Sequence, residues 1–312
     1  MKIATAAYPL DWFEDFAEYE AKLAHWVAGA AGNGADLLVF PEYGAMELAS
    51  LDGADVASDM EAAMLATARH IPAADALHVR LAREHGVHIL AASGPVYAPG
   101  PRPVNRARFF GPDGQCEHQD KQIMTLFERD PMDVQSAAPL KVFDTRLGRI
   151  GILICYDAEF PSLARALVEA GAEILLAPSF TEQLSGYWRV RIGAMARALE
   201  GQCVSVHAPC VGSGSGCPAM GASSGAAAVY GPPDIGFPES GVLAEGEMNA
   251  PGWVYADVPD GAVANVRANG RVRNFTHWVE QASCVKTLEF INFRGSELEN
   301  PTETSHLTGA HT

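Results

Sequence analysis

Short apolar runs bounded by turn residues alternate along this chain with longer stretches of helical spacing, and two of those runs end in a reactive side chain. Asp36-Leu-Leu-Val-Phe40 leads into Pro41 and Glu42, and Arg149–Ile154 leads into Cys155. A run of four to eight apolar residues flanked by turn residues suits a strand buried on both faces. Lys2–Ala7 reads as an opening strand, Glu14–Ala31 as a helix ended by Gly32 and Gly34, and Met60–Glu84 as an Ala-rich helix broken near Pro72. Val87–Ala92 is a further strand. Strand–helix–strand order of this kind predicts a mostly parallel sheet with helices packed on it.

The middle of the chain departs from that rhythm. Arg106–Phe110 and Gln115–Lys121 flank Gly111-Pro-Asp-Gly114, the pattern of two strands around a tight turn. The alternation then resumes with a helix over Pro161–Ala170, where Pro161 takes a first-turn position. A strand over Glu173–Ala177 and a helix over Trp188–Glu200 follow, with Gly201 just past the helix end. Gln202–His207 is the next strand. Gly212–Gly225 is rich in Gly and Ser and reads as a loop. Ala226–Tyr230 and Trp253–Val258 read as late strands. No linker splits the chain, and from about His277 the sequence has no clear place in a core.

Composition narrows the function classes. Of the 312 residues, 48% are hydrophobic and 19% charged, enough apolar material for a sizeable core. A net charge of −16 opposes binding to nucleic acid or to an anionic membrane surface. No secretory signal pattern opens the chain, and no run of about 18 apolar residues exists to span a membrane. Six scattered cysteines without a Cys-x-x-Cys pair fit neither a disulfide framework nor a zinc site, so the expected compartment is the reducing cytoplasm.

Cys155 closes a strand and precedes a turn and a helix. That corner lies at the carboxyl edge of a parallel sheet, where crevices of open α/β sheets form. Backbone N–H groups there favour a thiolate and a developing oxyanion. Taken alone, a lone cysteine is as well read as a small buried hydrophobe. Glu42, also at a strand end, can serve as a proton acceptor if burial raises its pKa. Lys121, at the end of the hairpin, can neutralise the oxygen of a tetrahedral intermediate. Each of these two is plain surface chemistry if read in isolation.

Read together, in order and each after a strand, these motifs resemble the nitrilase superfamily of carbon–nitrogen hydrolases. The resemblance runs from Lys2 to about Gln281. It rests on Phe40-Pro-Glu42, Lys121 after the hairpin, Gly151-Ile-Leu-Ile-Cys-Tyr-Asp-Ala-Glu-Phe-Pro161, Gly171–Ser179 and Ala196-Arg-Ala-Leu-Glu-Gly-Gln202. It implies a four-layer αββα sandwich over residues 1–281, with 282–312 as a C-terminal extension, and pairing into a homodimer or larger homo-oligomer. It implies a catalytic Glu–Lys–Cys triad of Glu42, Lys121 and Cys155, with Glu128 as a second glutamate. The expected reaction is hydrolysis of a small linear amide through a thioester on Cys155. In it Lys121 and the N–H of Tyr156 hold the oxyanion, and neither metal nor organic cofactor takes part. Cys-Tyr-Asp followed by Phe-Pro resembles the amidase side of the superfamily, ahead of N-carbamoyl and nitrile substrates. Phe180, Thr181, Tyr187 and Trp188 follow the Ala-Pro-Ser strand end and are candidates for the pocket wall, with ordinary core packing the alternative.

Three other patterns suggest different chemistry. Gly221-Ala-Ser-Ser-Gly225 matches a serine-hydrolase elbow, but a loop precedes it and a strand follows. Gly212-Ser-Gly-Ser-Gly216 lacks the helix a dinucleotide loop needs. Cys210, Cys217 and His207 lack a second pair for metal binding. A hydrolase fold kept as a binding protein is the alternative from a different class.

Overall fold

Strand β1 (Lys2–Pro9) shows how the layers arise. Ile3 enters one apolar cluster while Ala4, Ala6 and Tyr8 enter another, because successive side chains of an extended chain face opposite ways. The computed structural model describes residues 1–98, 100–291 and 293. After β1 come α1 (Phe16–Gly32), β2 (Leu37–Val39), α2 (Ala54–Ser58), α3 (Met60–His85), β3 (His88–Leu90) and β4 (Gly94–Val96). Next are β5 (Val104–Phe110), β6 (Cys116–Asp120), α4 (Leu126–Arg129), β7 (Val142–Thr145), β8 (Gly148–Ile152), α5 (Pro161–Glu169), β9 (Ile174–Ser179) and α6 (Leu184–Gly201). Then follow β10 (Val204–Val211), β11 (Ala228–Tyr230), β12 (Val242–Glu245), β13 (Gly252–Asp257) and α7 (Ala262–Asn269).

The strands run in the order β4-β5-β3-β2-β1-β10-β9-β8-β7. β1 joins the two halves. It pairs in parallel with β2 through Ile3–Thr5, and with β10 only through Tyr8 and Pro9. The halves face each other across one cluster, with Ile3, Leu37, Val39 and Leu90 from the first and Ile150, Ile152, Ile174, Leu176, Val204 and Val206 from the second. The alternate residues face outward. Leu38 and Phe40 meet Tyr19, Leu23 and Val27 of α1 and Leu77 and Leu81 of α3. Leu153, Leu175 and Ala177 meet Leu167 and Val168 of α5 and Ala194 and Ala198 of α6. The result is the four-layer helix–sheet–sheet–helix sandwich.

Two helices differ from the sequence-based expectation. α3 runs unbroken through Pro72. The proline costs about 3 kcal/mol in a helix interior. It is flanked by buried Thr67 and Ile71 on one side and Ala74, Leu77 and Leu81 on the other, and a fully buried aliphatic side chain contributes about 1.5–3 kcal/mol. Packing therefore outweighs the lost hydrogen bond. α6 begins at Leu184 rather than Trp188, and its cap, Gln183, makes no side-chain capping bond. The residue pattern thus carries no start signal there.

The chain divides into a large unit, Met1–Thr276, and a short one that begins at His277. The short unit contains single helical turns at Trp278–Glu280 and Gln281–Cys284. Of the expected C-terminal extension, residues 292 and 294–312 lie outside the described residues. Among the described residues, no helix is long and apolar enough to cross a membrane.

Candidate active site

Three strand ends converge at one edge of the sandwich. Glu42 lies three residues past β2, and its segment is pinned to the neighbouring strand by bonds from Phe40 N–H to Leu90 O (2.9 Å) and from Ser93 N–H to Pro41 O (2.9 Å). Lys121 directly follows β6, its N–H donating to Asn105 O at 2.9 Å. Cys155 opens a tight turn, Cys155–Glu159, just beyond β8.

That turn holds Cys155 at φ +51°, in the left-handed region, which costs a non-glycine residue roughly 1–2 kcal/mol. Asp157 offsets this. Its carboxylate accepts from Ile154 N–H (3.3 Å), Gln122 N–H (3.1 Å) and Ile123 N–H (2.9 Å). The same side chain therefore shapes the cysteine turn and clamps the two residues after Lys121. Burial pushes the Asp157 carboxyl up to about 7, against the pull of Lys121 and of the Gln122 and Ile123 N–H groups. Gly193 of α6 lies against this turn: a Cβ there would sit 2.8 Å from Ala158 O, so no larger residue fits without moving the helix.

At the centre, Lys121 Nζ donates to Glu42 Oε1 (2.7 Å) and Glu128 Oε2 (2.6 Å). All three are almost wholly buried, at 1–2% exposed. Two carboxylates thus share one ammonium, leaving the cluster one negative charge in excess. Burial opposes the charge on Lys121, but Glu42 and Glu128 outweigh it and hold its pKa well above the usual lysine range. The carboxylates diverge. Burial raises Glu42, with Lys121 pulling down and Glu128 pushing up. Burial also works against ionised Glu128, yet Lys121, the Thr125 N–H and Asn105 bring it below the usual range. Glu128 is therefore the standing anion and Glu42 the member able to take up a proton, a division of labour set by environment.

The expectation of a thiolate at Cys155 is corrected. Burial, and next the charge of Glu42, hold the thiol well above its usual pKa. The resting group is a neutral thiol, 5% exposed, pointing to Phe180 O at 3.8 Å. Attack then needs a base in the same step.

The cluster forms the floor of a cavity of about 260 Å³. Tyr43, Met132, Tyr156, Phe180 and Val190 supply apolar wall, and Thr181 also lines it. Glu159 and Arg189 also line it, 3.4 Å apart as an ion pair. Trp188 does not line it, correcting that expectation. Ser185, Gly186, Arg189 and Val190 of α6 face the cavity, and at about 100° per residue Trp188 falls on another face, half-exposed with Leu184 and Ile192. Tyr187 is fully buried and stacks on His207.

Several residues at the site escaped the sequence reading. Asn105 Nδ2 donates to Glu42 Oε1 (2.9 Å) and Glu128 Oε1 (3.2 Å). Tyr43 O–H donates to Glu128 Oε1 at 3.0 Å. Phe180, already expected in the pocket wall, also donates its backbone N–H to Glu42 Oε2 at 2.9 Å. The strand end before Phe180 is held by the Ser179 Oγ–His207 Nε2 contact of 2.8 Å. Only Asp157 had a local signal, an acid two places after the cysteine. The Gly221–Gly225 segment and Cys210 have plain structural places. Ser223 forms a backbone bridge with Gly212 and is followed by β11, so no elbow forms. The Cys210 thiol donates to Glu42 O at 3.3 Å.

Fold and cluster define an α/β sandwich with a thiol, a carboxylate and an ammonium gathered at its carboxyl edge. The sequence profile of the carbon-nitrogen hydrolase family matches residues 2–268. The chain belongs to that family, within the nitrilase superfamily. It is 31% identical over 274 residues to "Probable hydrolase YhcX" of Bacillus subtilis, covering 88% of this chain and 52% of that protein. It is 33% identical over 144 residues to deaminated glutathione amidase of Yersinia enterocolitica, covering 42% of this chain and 50% of that one. The chain thus spans about half the length of these curated relatives. Among solved structures it is similar to an amidase from Nesterenkonia sp. AN1. A cysteine-to-alanine mutant of that amidase in complex with butyramide superposes with a TM-score of 0.65 at 25% identity, over 86% of this chain and 94% of that one. A glutamate-to-glutamine mutant, with acrylamide added at the active-site cysteine, gives 0.66 at 22%, over 86% and 97%.

Proposed function

We propose that the protein hydrolyses the amide of a small carboxylic acid through a thioester on Cys155. The observation that carries this reading is the meeting of a neutral thiol, a carboxylate of raised pKa and a buried ammonium in one small cavity. Glu42 takes the thiol proton as sulfur attacks the carbonyl carbon. The tetrahedral oxyanion is held by Lys121 Nζ and the Tyr156 N–H. Carbon–nitrogen cleavage releases ammonia, which carries the proton from Glu42. Water then attacks the thioester, giving its proton to Glu42, and the carboxylate leaves as the thiol is restored. These steps call on no metal or organic cofactor. The butyramide bound by the similar amidase supports a short acyl group, as does the size of the cavity.

Intact-mass spectrometry of quenched mixtures with short amides and reactive esters is expected to show one acyl adduct, on Cys155. No adduct, together with no ammonia release across small amides, ureas and nitriles, ends the reading in favour of a binding role. Because Glu42 must be ionised to accept the proton and its pKa is raised, kcat/KM is expected to rise with pH through a value above the usual carboxylate range.

We also place self-association across α6, supported by the exposed stripe Leu184, Trp188, Ile192 and Leu199 and by the resemblance noted above. Sedimentation is expected to show a dimer or larger assembly that Ile192→Asp dissociates; a monomeric wild type rules the surface out. Six unpaired thiols fit a reducing cytoplasm, and recovery of a disulfide-bonded exported form from cells would end that placement.

A further inference from the structure

We propose that Asn105 is a positioning residue for the proposed reaction: its amide anchors Glu42 Oε1, so that Oε2 is the atom that carries the proton. The inference rests on the hydrolytic reading above and adds a group that never touches the substrate.

The orientation of the amide is fixed by its neighbours. Ser93 Oγ accepts the Tyr43 N–H at 3.0 Å and donates its one hydrogen to Asn105 Oδ1 at 2.7 Å. With Oδ1 committed, Nδ2 and its two hydrogens face Glu42 Oε1 and Glu128 Oε1. The reverse orientation would set a carbonyl oxygen against two carboxylates. Asn105 is fully buried on β5, and its backbone carbonyl holds the Lys121 N–H. One residue therefore fixes all three charged members of the cluster.

Counting acceptor sites then selects the proton-carrying atom. A carboxylate oxygen offers about two lone-pair directions. On Oε1 both are taken, by Lys121 Nζ at 2.7 Å and Asn105 Nδ2 at 2.9 Å. On Oε2 one is taken, by the Phe180 N–H at 2.9 Å. The remaining site on Oε2 is open to the Cys155 proton. The thiol and this oxygen share a neighbour: Phe180 donates its N–H to Oε2 and receives the thiol at its carbonyl. The other titratable groups facing Glu42 are Lys121, Glu128, Cys155, Asp157, Tyr43 and Cys210. None of them replaces the Asn105 donor, because Lys121 already serves both carboxylates.

The sign follows directly. Asn105 donates to ionised Glu42, so its loss raises the Glu42 pKa and moves the acid limb of activity to higher pH. Asn105→Leu, of similar shape without donor or acceptor, is expected to move that limb up by about one pH unit or more. At neutral pH kcat should fall about tenfold or more, with KM changed less than about threefold. Ser93→Ala, which frees the amide to turn, is expected to shift the limb the same way by less. Cys155 alkylation by iodoacetamide, followed by intact mass against pH, reads the same coupling without turnover and should shift in parallel. An acid limb unmoved in both assays for Asn105→Leu, or for Ser93→Ala if the first variant does not fold, overturns the role of Asn105. Failure of the hydrolytic reading looks different: alkylation still shifts, but no amide is consumed by the wild type.

Discussion

Lys121→Met is expected to cost the protein both its activity and about 3–5 kcal/mol of stability, because it leaves two buried carboxylates against an apolar side chain with no cation to serve them. In the wild type both carboxylates lie within 2.7 Å of the same ammonium. Without it, burial and mutual repulsion raise the folded-state pKa of Glu42 and Glu128 together. The folded variant then binds more protons than the unfolded chain above the ordinary carboxylate range. Its stability therefore falls as pH rises through that window and recovers as pH is lowered. Urea unfolding of the variant should give a lower midpoint at pH 8 than at pH 5.5. The triple variant Glu42→Gln, Lys121→Met, Glu128→Gln should recover most of the loss, since no charge is then left unpaired. Turnover of the single variant should fall by at least about a thousandfold with loss of the proposed oxyanion partner and of the tuning of Glu42. A variant as stable as wild type at pH 8 would show that Lys121 is not the counterion of this cluster.

Cys155→Ala is the second large effect, and it separates chemistry from folding. Turnover should drop by roughly ten-thousandfold or more, as when a covalent nucleophile is removed from a working triad. Stability should change by less than about 1 kcal/mol, because only a small buried thiol is lost and alanine keeps the φ of +51°. Ammonia release measured beside a urea unfolding curve tests both halves. Activity within tenfold of wild type would remove Cys155 from the mechanism, whatever the fold retains.

Much of this architecture was legible because the strands are short, apolar and bounded by breakers. The alternation of Leu37 and Val39 with Leu38 and Phe40 is a local pattern, and its two faces became the inner and outer clusters. The ends of α1, α5 and α6 lie within a few residues of the expected ones, except at Gln183, where no cap signal exists. Pro72 misled because a breaker is a local cost, while the burial that overrides it comes from residues distant in sequence.

The chemical types of the site, and their positions at strand ends, were set by the polymer itself. Glu42, Lys121 and Cys155 each follow an apolar or paired segment, so each had to emerge at a strand terminus. Their charges and distances were decided by the tertiary structure alone. Glu42 and Glu128 are the same residue type, yet burial prevails at Glu42 and raises it, whereas at Glu128 Lys121, the Thr125 N–H and Asn105 outweigh burial and bring it below its usual range. Asn105, Ser93 and Asp157 gain their roles only when those three strand ends meet. A buried polar group is defined by its partners, and those partners lie 3 to 168 positions away along the chain. Local sequence can specify which groups are offered; only the packed sandwich determines which of them are desolvated together, and it is desolvation that moves their proton affinities away from the ordinary values.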